Sequence, residues 1–130
     1  MLWDNAPDIS RRISFLVSAL NFSYIPAAQV HCFRSTGSSS RATARIWSLP
    51  TIWQQALNTP AHYCLEVISE KFDRLSPEQQ EKVLIHELMH IPKTFSGSLR
   101  PHRNAHHRTF RDYHLQVDKL YNSLPVKSFF

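Results

Sequence analysis

Several features that would settle a protein's class at once are scarce or missing here. Cysteine occurs only twice in 130 residues, as Cys32 and Cys64. One possible bridge does not make a disulfide scaffold, and neither cysteine has the spacing of a metal motif. Both lie in apolar, strand-like stretches, so both are expected to be buried and reduced, with a bridge open to them only if those strands are neighbours. No apolar run approaches the roughly 20 residues of a membrane span. The opening segment, Met1 to Asp8, is polar and carries Asp4 and Asp8 where a secretory signal would be cationic. A cytoplasmic protein without a membrane partner is the expectation. Internal repeats and linkers are missing too, which makes residues 1–130 a single domain. What is present is ordinary for a folded chain, with 42% hydrophobic and 19% charged residues. The net charge of +5 is compatible with a nucleic-acid partner without establishing one.

Periodicity supplies the elements. From Asp8 to Leu20, Ile9, Ile13, Leu16, Val17 and Leu20 share a helical face, with Arg11, Arg12 and the serines largely on others. Gln29–Arg34 and Arg41–Trp47 read as strands, the second alternating Ala42, Ala44 and Ile46 with Arg41, Thr43 and Arg45. With the polar loop between them they resemble a hairpin. Pro50–Leu57 is a candidate short helix with Ile52, Trp53 and Leu57 inward. His62–Ser69 is a third strand, apolar on both faces and so more deeply buried. Ser76-Pro77-Glu78-Gln79 is a strong helix start, with an N-cap serine, proline at the first helical position and Gln three residues after the cap. That helix is expected to run from Pro77 to about His90 or Ile91, where Pro92 ends it. A last helix is expected from His106, with Phe110, Tyr113, Val117, Leu120, Tyr121 and Leu124 on one side. The fold class is α+β, a small, mostly antiparallel sheet of about three strands packed on helices.

Within the strongly specified helix lies His86-Glu87-Leu88-Met89-His90, an HExxH pattern. Residues four apart share a helix face, so two imidazoles there can meet one zinc ion at roughly 2.0–2.1 Å. Glu87 is then placed to approach the activated water rather than the metal, and to act as general base. The pattern is short and has chance matches, but it sits on a helix, follows a strand and ends near a turn. A catalytic zinc takes three protein ligands and keeps one open position. No Glu or Asp lies between Met89 and Phe110, which leaves His102, His106 and His107 as third-ligand candidates. His114, further into the last helix, is a weaker one. Arg103, His106, His107 and Tyr113 are candidates to stabilise an oxyanion.

The segment His86-Glu87-Leu88-Met89-His90-Ile91-Pro92, the Phe95-Ser96-Gly97 turn, and Leu99-Arg100-Pro101-His102 resemble the motif of a family of small metallopeptidases of archaea, bacteria and phages. Glu66–Asp73 and Arg45–Pro50 add to the likeness, which spans about Phe33 to Tyr121. The resemblance implies a zincin-like fold, bound zinc and a peptide or protein substrate, and it maps the third ligand to His102. His107-Arg108-Thr109-Phe110 is loosely similar to a feature of SprT-like proteases, which act on DNA-bound proteins. The competing reading is a non-catalytic, zinc-stabilised binding module, associated with nucleic acid, in which surplus histidines close the metal site. Glu87 separates the two, because a structural site has no use for a carboxylate beside its ligand. Arg34, Arg41 and Arg45, with Arg100, Arg103, Arg108 and Arg111, form either a solvated basic face or an attraction for acidic partners.

Overall fold

Which strands carry apolar residues on both sides decides the order of the sheet. The structure is a computed structural model and describes residues 1–101 and 110–125. In chain order the elements are β1 (Leu2–Asn5), α1 (Pro7–Ala19), a 3-10 turn (Ala27–Gln29), β2 (Val30–Thr36), β3 (Ala44–Ser48), α2 (Thr51–Leu57), β4 (Tyr63–Ile68), α3 (Ser69–Phe72), α4 (Pro77–Leu88) and α5 (Phe110–Asn122). They form an α+β domain around one four-stranded sheet of order β1-β2-β4-β3. The β1–β2 and β3–β4 pairs are antiparallel and β2–β4 is parallel.

Two expectations about the sheet need correction. β2 and β3 are not a hairpin, because β4 lies between them, with Leu65 level with Cys32 on one side and Ile46 on the other. β4 has four residues in a row, Leu65 to Ile68, that are buried, so it belongs inside the sheet, whereas β3 carries Arg45 and Trp47 and takes an edge. The sheet also has a fourth strand. All four residues of β1 are exposed, so it shows no alternation in sequence, and it is held by backbone pairing of Leu2–Asn5 with Phe33–Thr36.

One face of the sheet supplies the core. Val30, Cys32, Ala44, Leu65 and Val67 join Ile9, Ile13 and Leu16 of α1, Leu84, Ile85 and Leu88 of α4, and Val117 and Tyr121 of α5 in one buried cluster. Cys32 is in that cluster, and burial pushes its thiol up to about 11. Cys64 is only half-buried and alternates to the other face of the sheet. The two therefore stay free thiols although their strands are neighbours.

Arg12 departs from its expected polar position. It is buried, and its Nε donates to Glu81 Oε1 at 3.1 Å while NH1 donates to Gln80 Oε1 at 2.9 Å, joining α1 to the first turns of α4. α2 also differs from expectation. Ile52, Trp53 and Leu57 are exposed and the helix has no buried residue. Its contribution to the fold is polar, through Gln54.

Candidate metal centre

α4 begins as its sequence requires. Gln79 N–H donates to Ser76 Oγ at 3.2 Å, Ser76 N–H donates to Gln79 Oε1 at 3.4 Å, and Pro77 fills the first turn. The buried residues Glu81, Leu84, Ile85 and Leu88 fix the rotation of the helix. Regular α-helix stops at Leu88, slightly before the expected end. From there the backbone tightens, with His90 N–H on Glu87 O and Ile91 N–H on Leu88 O, both at 3.1 Å. Pro92 follows and has no N–H to continue the ladder. The two imidazoles still lie side by side. Their ring centroids are 5.1 Å apart and 30° from parallel. One potential ligand atom from each of His86, Glu87 and His90 lies within 4.8 Å of the others.

His90 is oriented by a single residue on the returning chain. Arg100 N–H donates to the His90 carbonyl at 2.7 Å, and the Arg100 carbonyl is hydrogen-bonded to His90 Nδ1. A carbonyl only accepts, so Nδ1 carries the proton and Nε2 presents its lone pair to the cleft. The return depends on the turn at residues 92–101. Gly97 has φ +95°, and a Cβ there would overlap the Gln54 amide and the Leu49 carbonyl oxygen. Gln54 Nε2 donates to Leu49 O at 2.8 Å and to Ser96 O at 2.9 Å. Tyr63 Oη accepts from Gly97 N–H at 2.9 Å and donates to Ser98 O at 2.8 Å. Phe95 packs on the Tyr63 ring with centroids 5.0 Å apart. Tyr113 completes the support, stacked 6.0 Å from the His90 ring and donating its hydroxyl to Pro101 O at 2.7 Å.

His86, Glu87 and His90 line a cleft of about 800 Å³ together with the segment 41–46 and Arg100. Part of that segment is β3, which among the described residues pairs only with β4 and so leaves its other edge open. Glu87 is 8% exposed, and burial pushes its carboxyl up to about 8. Among the expected basic residues, Arg41, Arg45 and Arg100 line the cleft. Arg34 does not belong to it, being paired with Asp8 at 2.7 Å and Asp73 at 3.3 Å. His102, His106 and His107, with Arg103 and Arg108, lie outside the described residues. His114 also lines the cleft, its ring 6.0 Å from that of His86 and edge-on to it. Of the oxyanion candidates, Tyr113 has its hydroxyl committed to the Pro101 carbonyl.

Sequence reasoning missed the Gln54 and Tyr63 anchors and the double contact of Arg100 with His90. Arg100 acts through its backbone, so its side-chain identity carries no signal. Gly97 was the available clue, as one of two glycines in the chain.

A protein-family model described as "Putative phage metallopeptidase" matches residues 1–125. Neither a curated protein nor a solved structure matches the chain.

Proposed function

The chain belongs to the putative phage metallopeptidase family, and from that membership we propose that it hydrolyses peptide bonds with zinc held by His86, His90 and His102, and with Glu87 as general base. The observation that carries the reading is the meeting of His86, Glu87 and His90 in one cleft, with His90 held in a single tautomer by the Arg100 carbonyl. Two imidazoles whose donor atoms lie this close suit a borderline-soft divalent cation, and the histidine–carbonyl contact is the usual outer support of such a ligand. A zincin-like arrangement is consistent with a metal helix lying beside the open edge of β3. His102 fits as third ligand because the chain has already returned to His90 by Arg100.

When bound, zinc would supply a Lewis acid that polarises the scissile carbonyl and makes water acidic near neutral pH. Glu87 takes the proton of the attacking water and delivers it to the leaving amine. Burial alone would hold the Glu87 carboxyl protonated, and a divalent cation beside it favours the ionised form that a base needs. An extended peptide can add to the open edge of β3, which offers backbone N–H and C=O partners without demanding a sequence. Arg41 and Arg100 make the cleft attractive to acidic peptide segments, whereas the Arg45 guanidinium is committed to Glu66.

Glu87→Gln tests this reading. It is expected to keep zinc and the fold while lowering hydrolysis of an unfolded protein such as casein by about 10²-fold or more, because the amide cannot accept the proton. Hydrolysis at the wild-type rate would remove Glu87 from the base role. Zinc without hydrolysis in both proteins would favour the non-catalytic binding module.

A further inference from the structure

Away from the cleft, two further histidines meet. Val30 and Cys32 belong to the buried cluster, so His31 between them projects from the opposite face of β2. His62 immediately precedes β4. Gln29 Nε2 donates to Ala61 O at 2.7 Å and ties together the starts of the two strands. His31 Nε2 and His62 Nδ1 are 3.0 Å apart. Their ring centroids are 5.1 Å apart and 26° from parallel, against 5.1 Å and 30° for His86 and His90. Neither His31 nor His62 lines the cleft that holds those residues. His31 is exposed and His62 half-buried, so solvent reaches the pair.

Left to themselves, one ring donates an N–H to the other. In each ring the proton can instead sit on the far nitrogen, His31 Nδ1 or His62 Nε2, and both facing nitrogens then offer lone pairs. Two imidazole nitrogens at roughly 2.0–2.1 Å from one cation lie roughly 2.9 Å apart at a right angle and about 3.3 Å apart at a tetrahedral one. The observed 3.0 Å fits the right angle of square-planar or octahedral coordination. Among the described residues no carboxylate joins the pair. Imidazole donors alone suit copper(II), nickel(II) or zinc rather than magnesium or calcium. We propose that His31 Nε2 and His62 Nδ1 form a second metal site, bidentate for a divalent transition cation, with water completing the coordination. The cation clips β2 to β4, the two central strands of the sheet, so its binding adds to the stability of the fold.

Calorimetric titration of the full chain with nickel chloride tests the site. Nickel is the probe because it does not oxidise the Cys64 thiol, which stands opposite His31 in the sheet register. Wild type is expected to bind one more nickel per chain at micromolar concentration than His31→Ala or His62→Gln. The glutamine keeps a carbonyl acceptor for the His31 ring but offers no imidazole, so it separates ligation from the hydrogen bond. The same difference of one nickel is expected when His86 and His90 are both replaced by alanine, which makes the site independent of the cleft. In that background nickel should raise the melting temperature, and adding His31→Ala should remove that part of the rise. Magnesium should be inert in every protein. His31 is exposed, and His62→Gln decides the outcome even if His31→Ala fails to fold. The proposal is overturned if His62→Gln binds as many nickel ions as wild type with equal affinity. It is equally overturned if the difference vanishes once His86 and His90 are removed, or if magnesium binds as nickel does.

Discussion

His90 is held at both its ring and its backbone by Arg100, and that double contact exists only because the turn before it closes correctly. Gly97 is the residue with the least tolerance in that turn. Gly97→Ala should displace the segment carrying Arg100 and weaken zinc binding by about tenfold or more, the usual cost of losing an outer support. Competition with a chromophoric chelator measures it, and unchanged affinity would show that the clamp does not orient the ligand. The third ligand belongs to the same scale. His102→Ala is expected to lose zinc affinity far more than His106→Ala or His107→Ala, which otherwise contact substrate. A large loss in either of those two, with His102→Ala binding like wild type, would move the ligand into the segment nearer α5. His86, Glu87 and His90 were legible in sequence because their relation is local, set by helical spacing and a capping box only ten residues upstream. His90's orientation was not, because it depends on a backbone carbonyl.

Elements were legible one at a time, and their partners were not. The alternation of Ala44 and Ile46 with Arg45 and Trp47 marks a strand, but nothing in β2 or β3 says that β4 will insert between them. Pairing across the sheet is decided by which strand must hide both faces, a property of the whole set of strands. β1 was invisible because none of its residues is buried. The Arg12–Glu81 contact was hidden for a related reason, since charged residues are rarely buried unless paired and the pair is distant in sequence. Burial raises the Glu81 carboxyl above its ordinary 4.5, with Arg12 opposing the rise. Arg12→Ala removes that opposition and leaves a buried carboxylate, which should cost about 3 kcal/mol near neutral pH. The sign with pH follows from linkage. A folded carboxyl with a raised pKa binds more protons than the unfolded chain, so stability is fullest at low pH and is lost as pH rises beyond 4.5. Urea melts at pH 5 and pH 8 should therefore show a larger gap between Arg12→Ala and wild type at pH 8. An equal gap at both would mean that the carboxylate is not the source of the loss.

At the scale of the molecule, one sheet separates two different surfaces. Its core face meets α4 and carries the cleft with the histidines, while its other face carries the two exposed tryptophans around Glu66. No helix among the described residues is long and apolar enough to cross a membrane. The α+β class was legible because helical and strand periods alternate along the chain, and the metallopeptidase reading because HExxH begins inside a capped helix and ends in the turn that closes it. The order of the sheet and the meeting of His31 with His62 were not, because both bring together residues far apart in the chain. The account rests on a metal ion held by the two histidines of α4 and the turn after it. Elemental analysis of protein purified without added metal tests that claim most directly, comparing wild type with a His86→Ala/His90→Ala double variant of unchanged circular dichroism. The account predicts one zinc per chain in the wild type and essentially none in the variant. A variant that retains stoichiometric metal, or a folded wild type that contains none and takes up none from micromolar zinc, would contradict it.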